Sequence, residues 1–170
     1  VLADLVKGVF GSDGQIGSIQ VRSIGIPSLA VGATNSNTSD PRGSFGTTIP
    51  VFRSDRGVAP GGKSYLTGLR HDATSHTDLY LQETAGAVAT VRTDFLNAAG
   101  SFVGSRTDAL TPFGMAMAVD AVPVGAIAAV LTNDASSSGR FLAYATPVDQ
   151  ASGDLWAVAD WPRRDGYGGD

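Results

Sequence analysis

His71 and His76 flank the run Asp72-Ala73-Thr74-Ser75, and Asp78 follows closely. A serine, a histidine and an aspartate are the parts of a nucleophilic triad, in which the imidazole takes the hydroxyl proton and the carboxylate orients the imidazole. Such parts must converge beside an oxyanion site. Neighbours on one turn seldom do, and the chain has no Gly-x-Ser-x-Gly elbow. A solvated polar turn is the plainer reading, and no catalytic residue is assigned. Zinc needs three or four ligands, and only the two histidines suggest themselves. Calcium is held by carboxylate and carbonyl oxygens. The turns Ser12-Asp13-Gly14, Asn133-Asp134 and the one from Asp149 to Asp154 offer such groups. None matches a defined calcium loop, and an Asx turn, in which the side chain bonds its own backbone, explains each. No metal site and no cofactor follows from these residues.

Aromatic side chains offer a different chemistry. Tyr65, Tyr80, Tyr144, Trp156 and Trp161 all fall on predicted strands. Facing outward on one sheet, Tyr65, Tyr80, Tyr144 and Trp156 would form a flat platform on which sugar rings stack. The competing reading places them in the core or over a sheet edge.

A sheet must position these groups, and residues 87–107 carry its clearest pattern. Ala89, Val91, Thr93 and Phe95 alternate with Thr90, Arg92 and Asp94. A period of two separates an apolar face from a charged one. Val91 and Phe95 therefore belong in a core, with Arg92 and Asp94 in water. Asn97-Ala98-Ala99-Gly100 closes a hairpin in which Gly100 is able to take positive φ. Phe102 and Val103 supply the apolar content of the returning strand.

Leu2, Leu5, Val6, Val9 and Phe10 sit at helical spacing, with Gly11 as a stop. The face made by Leu2, Leu5, Val6 and Phe10 offers a lid for a neighbouring sheet. Alternation predicts further strands at 18–24, 28–34, 45–52, 64–70, 77–82, 115–119, 124–132, 140–148 and 154–161. Residues 35–43, 71–76, 133–139 and 149–153 read as turns, and 53–63 as a long loop or linker. Roughly eleven short strands with turns every ~8–12 residues predict an all-β, antiparallel β-sandwich with one short N-terminal helix. A closed barrel is the alternative.

Composition narrows the partners. Lys and Arg number 12 against 16 Asp and Glu, giving a net charge of −4. The basic residues are scattered, with no stripe to follow a phosphate backbone, so no nucleic-acid partner is expected. No apolar run is long enough to insert in a membrane. Cysteine is absent, which excludes disulfide staples and thiolate chemistry. The chain opens on Val1 with no leader-like run, which fits a processed product or a piece of a longer chain. Its 22 glycines and only 16% charged residues fit a turn-rich extracellular β protein.

Residues 17–52 and 125–161 share an order: Gly-x-Ile, a strand, a break, a strand with an Ala-Thr ending, a polar turn and a last strand. The runs HTDLYLQETAGAVATVRTDFLNAAGSFVGSRTDAL and TNDASSSGRFLAYATPVDQASGDLW resemble the immunoglobulin-like repeat modules of large bacterial secreted and surface proteins. The resemblance covers residues 64–161 as a full unit. It implies a non-catalytic extracellular module, with no catalytic residues to carry over.

The expected organisation is therefore the back half of a repeat unit over 1–56, a complete immunoglobulin-like sandwich over 57–161 and a flexible tail over 162–170. The expected role is adhesion, spacing or assembly, extracellular or at a cell surface, with protein partners or self-assembly through strand pairing by residues 1–56. A carbohydrate-binding accessory domain of a secreted hydrolase is the alternative, with Tyr65, Tyr80, Tyr144 and Trp156 as its binding residues.

Overall fold

The computed structural model describes residues 5–11, 17–25, 30–37 and 45–160. The chain divides into two units, Val1–Ala30 and Val31–Asp170.

In the first unit, α1 spans Leu5–Phe10. Gly11 ends it at φ +65 and donates its N–H to the Lys7 carbonyl at 3.0 Å. That left-handed stop is the one the sequence indicated. Leu2 lies outside the described residues. Phe10 is 63% exposed. Residues 17–25 carry no strand and are exposed throughout. Their alternation satisfies one half of a strand's requirements, but a strand also needs a neighbour to bond its N–H and C=O groups, and this segment joins no ladder.

In the second unit, β1 (Ala33–Asn37) and β2 (Phe45–Ile49) form a two-stranded antiparallel sheet. The first of these lies later than the strand expected at 28–34; residues 26–29 and 38–44 are outside the described set. The remaining strands are β3 (Lys63–Thr67), β4 (Ser75–Glu83), β5 (Ala89–Leu96), β6 (Phe102–Leu110), β7 (Met115–Ala118), β8 (Ala128–Asn133), β9 (Phe141–Asp149) and β10 (Val158–Ala159). They make two four-stranded antiparallel sheets, ordered β3-β8-β5-β6 and β10-β9-β4-β7. Residues 161–170, with the expected tail, lie outside the described residues.

One core lies between these sheets. Alternate residues of β5 point into it: Ala89, Val91, Thr93 and Phe95 are all buried, while Arg92 is exposed and Asp94 half-exposed. The opposing sheet answers with Leu79 and Leu81 from β4 and Phe141, Ala143 and Ala145 from β9. The hairpin register pairs Phe95 with Gly104, and a bulge follows between Phe95 and Leu96. Gly100 turns the hairpin at φ +75. The return strand β6 is a sheet edge, which leaves Phe102 and Val103 exposed rather than packed.

Two strands are shorter than the hydrophobic pattern suggests. The apolar run from Val124 becomes a strand only at Ala128, because Gly125 adopts φ +81 and Ala126 N–H returns to Pro123 O at 3.1 Å. Val124 is consequently 71% exposed. The last predicted strand contracts to Val158–Ala159, since the chain before it is occupied by the Asp149 turn and a bridge from Val148 to Leu155.

Buried polar side chains tie the loops to the sheets. Asn133 Nδ2 donates to Val58 O at 2.9 Å and Gly139 O at 3.0 Å. Gly139 leaves no room for a side chain, as a Cβ there would lie 2.6 Å from Ala87 O and 2.8 Å from Glu83 Oε1. Gly139→Ala is expected to cost about 1–3 kcal/mol by forcing the backbone apart. An unchanged thermal midpoint in that variant would contradict this packing.

Candidate functional site

The outer face of the β10-β9-β4-β7 sheet carries the aromatic pair. On β4 the residues Thr77, Leu79 and Leu81 turn inward, so His76, Asp78, Tyr80 and Gln82 share the outer face. Tyr80 lies directly across from Tyr144 of β9. Their rings stack with centroids 4.5 Å apart and 2° between planes. The same row continues to Met117 on β7 and Ala159 on β10. Because the two rings face each other, the pair presents ring edges and two outer faces rather than one flat platform.

Burial pushes the Tyr144 phenol up to about 12, reinforced by Tyr80. Burial also raises Tyr80, partly offset by a bond with the Thr146 hydroxyl, while the Asp78 charge raises it further. Both phenols thus stay neutral at physiological pH and work as apolar bodies with a hydrogen-bonding tip. Tyr65 stands on the other sheet, on β3, 55% exposed. Trp156 follows the Val148–Leu155 bridge and donates its backbone N–H to Pro147 O at 3.3 Å. The structure therefore unites Tyr80 and Tyr144 and sets Tyr65 apart from them.

The histidines are not solvated, as the turn reading expected, but half-buried in a polar chain. His76 Nε2 lies 3.5 Å from Asp78 Oδ1, and that oxygen also accepts the Asp120 N–H at 2.9 Å. Asp120 takes φ 51 and sets its own Oδ1 3.3 Å from His71 Nδ1. His71 Nδ1 also meets the Val122 carbonyl. A nitrogen placed between two oxygens serves as a donor to them. Ser75 Oγ is buried and bonds to neither histidine. This arrangement cannot pass a proton from a serine nucleophile. Among the described residues no three His, Asp or Glu side chains converge as metal ligands.

The acidic turns are closed by their own carboxylates. Asp149 Oδ1 accepts from Ala151 N at 3.0 Å, Ser152 N at 2.9 Å and Ser152 Oγ at 3.0 Å. Asp134 Oδ1 accepts from Ser136 N at 2.8 Å and Ser136 Oγ at 2.6 Å. Asp72 Oδ1 does the same for Thr74. These bonds hold all three carboxyls below their ordinary range, led by the Ser152 N–H, the Ser136 hydroxyl and the Thr74 N–H respectively. They are Asx turns, as the sequence suggested for Asp134 and Asp149; Asp13 lies outside the described residues.

Glu83 is the polar residue that sequence reasoning missed. It ends β4 with its side chain fully buried. Oε1 accepts from Ala85 N at 2.7 Å and Arg140 N at 3.0 Å. Oε2 accepts from Gly86 N at 2.8 Å, Phe113 N at 2.9 Å and Ala87 N at 3.3 Å. Burial raises its pKa, but the N–H groups of Phe113, Ala85, Arg140 and Gly86 outweigh that and hold the carboxyl lowered. One anion thereby fastens the β4–β5 turn, the β6–β7 turn and the start of β9. Gly86 at φ +76 lets the turn fold over the carboxylate. The signal was present as a glutamate on the inward register followed by Thr84-Ala85-Gly86.

No protein-family model matches the chain, no curated protein matches it, and no solved structure matches it.

Proposed function

We propose that this chain is a non-catalytic, immunoglobulin-like β-sandwich module of a bacterial secreted or surface protein, acting in spacing, adhesion or assembly outside the cell. The observation that carries the reading is how its carboxylates are used. Glu83, Asp72, Asp134 and Asp149 are each bonded to backbone N–H groups of their own loops, which suits a rigid spacer better than proton-transfer chemistry.

Strand order supports the immunoglobulin-like part. An immunoglobulin sandwich places B-E-D in one sheet and G-F-C in the other. Reading β3, β4, β5, β8, β9 and β10 as B, C, D, E, F and G yields β3-β8-β5 and β10-β9-β4, the neighbours observed here. The β6 and β7 strands are then an insertion between D and E. Among the described residues nothing fills the place of strand A beside β3.

The stacked Tyr80–Tyr144 pair favours one other reading, a carbohydrate-binding accessory domain. Sedimentation over a concentration series and a glycan array separate the two. The assembly reading expects concentration-dependent association and a blank array. A chain that stays monomeric and captures a glycan, with capture lost in Tyr144→Ala, would replace it.

A further inference from the structure

Tyr80 and Tyr144 are held face to face by the sheet itself. The β4–β9 ladder runs from the Ser75–Asp149 pair to the Glu83–Phe141 pair and sets the two tyrosines directly across from each other near its middle. Residues so opposed on one face of an antiparallel pair are in side-chain contact. The ring planes are 2° from parallel, with centroids 4.5 Å apart. Both side chains are half-buried, so a dissolved reagent reaches them. Met117 is the neighbour of Tyr80 on β7, and Ala159 that of Tyr144 on β10. An unbranched, flexible methionine and a small alanine leave the rings room to turn.

Two phenols placed in this way are set for oxidative coupling. Loss of one electron and the hydroxyl proton turns a phenol into a phenoxyl radical. Its unpaired electron lies in π orbitals normal to the ring, shared between the oxygen and the Cε carbons beside it. Stacked rings point those orbitals at each other, so two radicals couple without a diffusive encounter. A Cε–Cε bond forms, and the hydrogen on each bonding carbon moves to its phenoxyl oxygen, which restores both aromatic rings. The pair gives up two electrons and two protons in all. Hydrogen peroxide takes up both and leaves as two molecules of water.

We propose that Tyr80 and Tyr144 are a modification site, joined into an intramolecular dityrosine by a one-electron oxidant that draws on hydrogen peroxide, of which a haem peroxidase is the type. The site goes beyond the spacer reading and does not depend on what the module binds. The new bond ties β4 to β9 and closes the stretch between them, which holds β5 to β8. A covalent closure of that length restricts the unfolded chain as a disulfide would. With no cysteine in the sequence, no disulfide serves that purpose here. Tyr65 is the contrast: it stands on the other sheet, 55% exposed, with no ring stacked on it among the described residues.

The test treats the dilute full-length chain with a haem peroxidase and hydrogen peroxide, with free tyrosine as a parallel control. The monomer should gain dityrosine fluorescence at a rate per chain that dilution leaves unchanged. Peptide mapping should find the Tyr80 and Tyr144 segments linked, with the mass of two hydrogen atoms lost, and the thermal midpoint should rise. Tyr80→Phe and Tyr144→Phe keep both rings and remove one hydroxyl each. In either variant the intramolecular product should fall at least about tenfold, and the gain in midpoint should vanish. A product that is undiminished in these variants overturns the proposal, as does one linked through Tyr65 or Tyr167 or formed more slowly on dilution. A chain that gains no dityrosine while free tyrosine couples in the control overturns it as well.

Discussion

Glu83→Gln is expected to lower folding stability by about 2–4 kcal/mol and to flatten its acid dependence. The amide keeps one acceptor oxygen. If that oxygen stays with Gly86, Ala87 and Phe113, an NH2 group faces the N–H groups of Ala85 and Arg140, which lose their acceptor. Each partly buried donor so orphaned costs about 1–3 kcal/mol. The folded carboxyl is lowered relative to the ordinary glutamate value of 4.5. Its stabilisation is therefore complete above that value and is lost as pH falls through the lower folded pKa. Urea unfolding of wild type should show stability declining through that window, with a shallower decline in the variant. Asp72, Asp134 and Asp149, lowered in the same direction, leave a residual slope in both. Parallel curves for the two proteins would show that Glu83 does not anchor the loops.

Phe95→Ala is expected to cost about 3–5 kcal/mol, the lost transfer energy of the ring plus the cavity it leaves. Phe95 is 1% exposed and lies opposite Gly104 on one side and Ala129 on the other. Neither of these cross-strand neighbours is large enough to fill the gap. A domain of this size is held by only about 5–15 kcal/mol, so the variant should unfold well below the wild-type midpoint in heat or urea. A loss under ~1 kcal/mol would mean that the site collapses, and that the ring is not a keystone of the sheet-to-sheet packing.

The central hairpin was legible in the sequence because its code is local. Alternation placed Ala89, Val91, Thr93 and Phe95 on one face, and Asn97 to Gly100 announced the turn. Both are decided by neighbours within a few residues. Residues 18–24 have the same alternation and form no strand, because pairing depends on a partner elsewhere that alternation does not encode. Val124 has strand composition, yet Gly125 keeps the chain turning until Ala128.

The site was harder to read for the same reason. Asx turns at Asp134 and Asp149 involve residues two or three apart and could be anticipated. Glu83 gathers N–H groups from Phe113 and Arg140, which lie 30 and 57 residues away. Only the finished sandwich brings them to one carboxylate. His71 likewise meets Asp120 and Val122 through a contact the turn around it does not foretell.

A carboxyl kept as a general acid is held protonated near neutral pH by its surroundings, whereas one that fastens loops is held ionised. The side-chain carboxyl carbon of Glu83 distinguishes the two directly by NMR titration of the folded chain. Its midpoint is expected below 4.5, the ordinary glutamate value, with the amide signals of Ala85, Gly86, Phe113 and Arg140 shifting in the same step. A midpoint above that value, with those amides silent, would contradict the assignment of Glu83 as an anchor and return this buried acid to the candidates for chemistry.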